Sequence, residues 1–253
     1  MGLFSKFLEK KVCDFCGEEI KLLGNRKLED GNMCKNCASK LSPWFSERRS
    51  STIAEIQEQL DYREANKDKV EAFNVTRTLG LSSTKVLIDE NAGNFIVTSA
   101  RDWKKANPDV MKLSDVTAAN LIITDSKSEV MRTDKDGKRV SYMPKRYEYR
   151  YNFTVKINVN NPYFNEISFG IGSAEWEESM NINFNPYNHA EYVNKKNAGD
   201  DIVRELTMAR SEARAQVVRE QAPKQAVTCP WCGATTTPDA NGCCEYCGGS
   251  VNG

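Results

Sequence analysis

The chain has 253 residues, and its 35 Lys and Arg are balanced by 35 Asp and Glu, so global charge selects neither a polyanionic nor a polycationic partner. Apolar residues make up 40%, enough for a packed core, yet no run approaches the roughly 18 apolar residues of a membrane-spanning helix. The apolar patch in the first eleven residues (Leu3, Phe4, Phe7, Leu8) is too short for a secretory signal, so a cytoplasmic setting is expected.

The same patch, with Lys6, Lys10 and Lys11 around it, has the make-up of a short segment lying at an anionic membrane interface. Residues 2–11 are therefore a candidate for peripheral contact with the inner face of a membrane. Lys6 stands where the myristoylation pattern needs Ser or Thr.

Nine cysteines follow, and their grouping carries the argument. Four fall in Cys13–Cys37 and five in Cys229–Cys247, with none in the 191 residues between. Without a secretory signal, clustered cysteines point to metal rather than to disulfides. The first group reads Cys13-Asp-Phe-Cys16, seventeen residues, then Cys34-Lys-Asn-Cys37; the second reads Cys229-Pro-Trp-Cys232, eleven residues, then Cys244-Glu-Tyr-Cys247. A Cys-x-x-Cys turn presents two thiolates to one cation, and two such turns complete a tetrahedral S₄ shell that suits Zn²⁺. Gly17, Gly233 and Gly248 follow the second cysteine in three pairs, where the turn calls for positive φ; Ala38 stands there in the fourth. Two structural Zn²⁺ ions are expected, one on Cys13, Cys16, Cys34 and Cys37, the other on Cys229, Cys232, Cys244 and Cys247. Iron takes the same ligand set, and a redox dithiol needs only one pair. Cys243 is left over. As a ligand in place of Cys244 it would make a Cys-x-x-x-Cys turn, so Cys244 is preferred.

A zinc ribbon is thus expected over residues 1–45 and a second over 223–253. Between them, Thr52-Ile-Ala-Glu55 reads as a capping box opening a helical connector over 46–72, with Ile53, Ile56 and Leu60 as its apolar stripe. Residues 73–198 read as an antiparallel β domain, with strands at 85–89, 94–99, 120–132, 147–159, 166–171 and 181–184. Asn91-Ala-Gly93 and Asp136-Gly137 supply hairpin turns. The alternation of 147–159 marks a strand with one buried face. A closing amphipathic helix is expected at about Gly199–Gln221 (199–222 as a segment), with Ile202, Val203, Leu206, Ala209, Ala213 and Val217 on one face. The fold class expected is α+β and multidomain: two small ribbons flanking an antiparallel barrel or sandwich with amphipathic helices.

No nucleophile, phosphate-loop or dinucleotide motif is present, and four thiolates leave a metal no open position for substrate, so a non-catalytic protein is expected. His189, the only histidine, reads as a turn or surface residue, and Glu175, Glu177 and Glu178 as a solvated acidic loop. Tyr147, Tyr149 and Tyr151 share one strand face, which reads as packed sheet rather than a platform for bases. The expected role is an adaptor or scaffold docking a protein partner or a membrane surface. The alternative is nucleic-acid binding, disfavoured by charge: residues 226–253 hold Asp239 and Glu245 but no Lys or Arg. In the first 49 residues ten basic side chains exceed seven acidic ones by only three.

The stretches Cys13-Asp-Phe-Cys-Gly-Glu-Glu-Ile, Leu28-Glu-Asp-Gly, Cys34-Lys-Asn-Cys and Leu41-Ser-Pro resemble an uncharacterised bacterial N-terminal zinc-ribbon family. The C-terminal Cys229-Pro-Trp-Cys-Gly-Ala-Thr and Cys244-Glu-Tyr-Cys-Gly are similar to zinc ribbons that end many bacterial proteins. The middle is loosely similar to pleckstrin-homology-like domains, in which a β region is followed by an amphipathic helix. These resemblances imply Zn²⁺ at the eight cysteines and a bacterial cytoplasmic setting, and they imply no reaction.

Overall fold

The computed structural model describes residues 11–80, 83–179, 184–221, 226–239 and 242–251. The segment 2–10 and most of the strand expected at 181–184 lie outside them. The chain divides into two compact units, Met1–Ser211 and Glu212–Gly253.

The first unit opens with two short antiparallel pairs, β1 (Lys11–Val12) with β2 (Glu19–Ile20) and β3 (Arg26–Lys27) with β4 (Asn32–Met33), then the single-turn α1 (Lys35–Ala38). The twenty-residue α2 (Ile53–Ala72) begins with the capping box read from sequence. Thr52 Oγ accepts from the Glu55 N–H, and the Glu55 carboxylate accepts from the Thr52 N–H at 2.8 Å. Its first turns pack on the ribbon: Ile56 is fully buried beside Ile20, Leu28, Met33 and Leu41, with Ile53 and Leu60 around them. Its last turns pack elsewhere, with Val70 and Phe73 against Leu87, Ile96 and Val110.

Those contacts lie on one face of a four-stranded antiparallel sheet, β5 (Arg77–Leu79), β6 (Lys85–Asp89), β7 (Asn94–Thr98) and β8 (Met111–Lys112), hydrogen-bonded in that order. A strand alternates faces every residue. Leu87 pairs with Ile96 toward α2, whereas Val86 pairs with Val97 and Ile88 with Phe95 on the other face. Both faces are buried, which is why β6 reads as a continuous apolar run. The Asn91–Gly93 turn joins β6 to β7, with Gly93 at φ 64°. A further single-turn helix, α3 (Trp103–Ala106), precedes β8, and Trp103 packs edge-on to Phe73.

Three long strands follow, β9 (Val116–Thr133), β10 (Arg139–Val159) and β11 (Glu166–Ser179), with β10 in the centre. The reverse turn at Asp136-Gly137 joins the first two, Gly137 at φ 78°. Phe153, Val155, Ile157 and Val159 are buried at alternate positions, as the sequence alternation requires, and Val155 faces Phe169 while Ile157 faces Ile167. Where an antiparallel barrel or sandwich was expected, the described strands of this region form two separate hydrogen-bonded sheets, of four and three strands, neither of which closes on itself into a barrel.

The helix expected from about Gly199 starts nine residues earlier, as α4 (Ala190–Gln221). Gly199 is a contact point rather than a boundary: a Cβ there would sit 2.5 Å from Leu121 Cδ1 and 3.0 Å from Ile171 Cδ1. Only a glycine lets the helix backbone approach β9 and β11 so closely. Tyr192, Ile202, Leu206 and Ala209 are buried along the helix, while Val217 is exposed. Among the described residues no helix is long and apolar enough to cross a membrane.

Candidate metal centres

In the N-terminal ribbon, the chain reverses after Cys13 so that the Gly17 N–H donates to the Cys13 carbonyl at 2.9 Å and the Cys13 N–H to Glu18 O at 2.9 Å. Gly17 takes φ 72°, where a side chain would be strained. The second pair is built differently. Cys34 caps α1, its sulfur accepting from the Cys37 N–H at 3.3 Å, and its own N–H donates to Cys13 Sγ at 3.2 Å. A helix start therefore replaces the glycine turn, and Ala38 needs no positive φ. The four sulfurs lie within 4.8 Å of one another, with Cys16 and Cys34 3.8 Å apart.

The C-terminal ribbon repeats the first knuckle twice. Gly233 N–H donates to Cys229 O at 2.9 Å and Gly248 N–H to Cys244 O at 2.8 Å, with both glycines at φ 71°. One strand pair, β12 (Val227–Thr228) with β13 (Thr235–Thr236), frames the first knuckle. Cys229, Cys232, Cys244 and Cys247 converge within the same 4.8 Å limit; Cys229 and Cys247 are 3.6 Å apart, Cys232 and Cys244 3.8 Å. Cys243 is half-buried and bridges to Ser250, and the quartet is completed by Cys244.

A metal fits both quartets. Four ligands at about 2.3 Å in a tetrahedron stand about 3.8 Å apart, close to the sulfur separations here and far from the roughly 2.05 Å of a disulfide.

Residues 11–59 match the family described as Domain of unknown function (DUF4428). The matched stretch takes in the whole first quartet and the first turns of α2, including Ile53 and Ile56 of the shared core. No curated protein matches the chain.

Electrostatics within the first quartet also suit a cation. Burial pushes the Cys13 thiol up, but N–H donors from Cys34, Phe15 and Cys16 outweigh it and bring the thiol to about 6. Burial and the neighbouring sulfurs drive Cys37 far the other way. In the second quartet Cys244 is brought to about 6 by the N–H groups of Cys247 and Tyr246 against burial. Cys247 is pushed up to about 12: the Gly249 N–H pulls it down, and the sulfurs of Cys232 and Cys229 outweigh that pull. Against burial, N–H donors also bring Cys229 down, so in each quartet some thiols ionise readily while others are held up by the neighbouring sulfurs, a conflict that a divalent cation at the centre would relieve.

The remaining singled-out residues are placed as follows. His189 stacks on Trp176 with ring centroids 3.9 Å apart, and its Nε2 lies 2.9 Å from Glu178 Oε1. Glu175 and Glu177 lie on β11 rather than in a loop, pairing across to Arg150 at 3.0 Å and Arg146 at 3.3 Å on β10. Tyr149 stacks on Phe184 at 4.1 Å and Tyr151 on Trp176 at 5.3 Å, a packed sheet face. Sequence reading missed a cleft of about 370 Å³ lined by Arg26, Lys35 and Arg48. These residues are scattered along the chain, and their one visible signal was the small basic surplus of the first 49 residues.

Proposed function

We propose that the protein is a non-catalytic adaptor in which each cysteine quartet holds one structural Zn²⁺ and the central region docks a protein partner or a membrane surface. The observation that carries the zinc reading is the convergence of four sulfurs within 4.8 Å in each quartet, with Cys16–Cys34, Cys229–Cys247 and Cys232–Cys244 at 3.6–3.8 Å. Zn²⁺ there would fix the knuckles, and with all four positions taken by thiolate it has no site for water or substrate. The chain's own contribution is to aim backbone N–H groups at the sulfurs, as Cys34 and Tyr246 do toward Cys13 and Cys244.

We read the central region as pleckstrin-homology-like. The support is its order: a four-stranded and a three-stranded antiparallel meander, then a helix with Ile202, Leu206 and Ala209 buried. That order speaks for a docking scaffold by analogy, since fold alone does not assign function. A cytoplasmic location belongs to the same reading.

Elemental analysis of the purified protein tests it. Two zinc ions per chain are expected, with Cys13→Ser and Cys229→Ser each losing one. Iron in their place, or a single ion shared between the quartets, would refute the reading.

A further inference from the structure

The N-terminal ribbon carries two features that holding a metal does not require. Leu22 and Leu23 stand 87% and 91% exposed at the turn between β2 and β3. Leu23 takes φ 66°, a left-handed conformation that costs a bulky side chain energy, and the turn beneath it is closed by the Gly24 N–H donating to Lys21 O at 2.8 Å. Folding gains nothing from two leucines held in water.

Beside this tip lies the cleft of about 370 Å³, lined by Arg26, Lys35 and Arg48 with Ser39, Ser46 and Phe45, and no carboxylate is among its lining residues. None of the three cations forms an ion pair among the described residues, whereas Arg63, Arg77, Arg146, Arg150 and Arg204 of the same unit all do. The guanidiniums are held by backbone carbonyls instead: Arg26 donates to Leu23 O at 3.3 Å and Arg48 to Lys27 O at 2.6 Å. Each keeps donors to spare. Burial, then the charges of Arg26 and Arg49, depress the Arg48 pKa, the mark of a cation cluster lacking its anion. Arg26 reaches both the tip and the cleft, so apolar and basic features lie within one side chain of each other.

We propose that this face of the ribbon docks on an anionic lipid membrane, with Leu22 and Leu23 entering the acyl boundary and Arg26, Lys35 and Arg48 receiving the phosphates of the lipid head groups. An anionic bilayer is the surface whose chemistry matches both halves, since nucleic acid offers phosphates but no apolar layer for the leucines. The proposal rests on the adaptor reading above, adds to the docking of the central region a membrane contact on the N-terminal ribbon, and places that contact at the ribbon tip rather than at residues 2–11.

The test is sedimentation of the full-length, zinc-loaded chain with phosphatidylcholine vesicles, with and without phosphatidylserine. Binding is expected only to the anionic vesicles and should weaken with salt. It should fall by roughly tenfold or more in Leu22→Gln/Leu23→Asn and in Arg26→Gln/Arg48→Gln. Asn tolerates the left-handed backbone, so the first variant keeps its fold, and unchanged zinc content confirms this for both. Equal binding to neutral vesicles would overturn the proposal. So would binding that survives both variants but is lost on deleting residues 2–10. Binding of inorganic phosphate or a DNA duplex without vesicle binding would assign the cleft to a soluble anion or to nucleic acid instead. Failure on vesicles with two zinc ions still bound would leave the zinc reading standing.

Discussion

In the N-terminal ribbon, Cys13, Cys34 and Cys37 share a buried core with Ile20, Leu28, Met33, Leu41 and Ile56; in the C-terminal ribbon, Cys229, Cys244 and Thr236 are the buried side chains among the described residues. Three of the four knuckles share a glycine at positive φ, and the fourth, Cys34–Cys37, opens α1 instead. Trp231 illustrates the contrast. It is 75% exposed and lies over Gly249, donating its indole N–H to Ser250 O at 3.0 Å, whereas Phe15 at the matching place in the first knuckle packs on the core. One fold motif is thus stabilised in two ways. The C-terminal ribbon has little apolar surface to bury, so on the zinc reading metal binding would have to supply its folding free energy. The N-terminal ribbon adds an apolar core borrowed from α2, and α2 in turn packs on the four-stranded sheet.

The strongest test of that shared spine is Asp109→Ala. Arg63, buried on α2, donates to Asp109 Oδ1 at 2.8 Å, to Lys40 O at 3.2 Å and to Asn107 O, while Ser42 donates to Asp109 Oδ2 at 2.7 Å. Burial raises the Asp109 carboxyl, and Arg63 and Ser42 oppose that rise. Residues following the ribbon, the helix and the segment before β8 are therefore tied at one carboxylate. Removing it leaves a buried guanidinium unpaired and should cost about 3–5 kcal/mol in denaturant unfolding of the first unit. A loss under about 1 kcal/mol would mean that water reaches Arg63 and the spine is looser than described.

A smaller effect is expected from Ile56→Ala. The side chain is fully buried between ribbon and helix, so its truncation should cost about 2–4 kcal/mol and make the N-terminal site release metal more readily to a chelator. Unchanged metal retention would show that the borrowed core does not support the knuckles, and the contrast between the ribbons would fail.

Both quartets were legible because ligand spacing and turn glycines are local requirements: Gly17, Gly233 and Gly248 take the positive φ expected of them. The capping box at Thr52 and the turns at Gly93 and Gly137 were legible for the same reason. What escaped was long-range. The buried stripe of α2 continues from Ile56 through Gln59, Arg63 and Asn66 to Val70, and hydropathy reads its polar members as solvent-facing. Asn66 is buried because its amide serves Pro108 O and the Val110 N–H, partners more than forty residues away. Gly199 looked like a helix start, since its partners Leu121 and Ile171 lie on distant strands. The short β5 and β8 carry too few residues for any periodicity to show.

The contrast between the ribbons is tested most directly by titrating the zinc-loaded protein with a chelator while following backbone amide resonances. The C-terminal set, Thr228, Thr236 and Gly248, should collapse to unfolded positions at lower chelator than Leu28, Met33 and Cys37, with the Leu87 and Ile96 signals persisting beyond both. Simultaneous loss of the two ribbons, or earlier loss of the N-terminal one, would contradict the claim that its core is shared with α2.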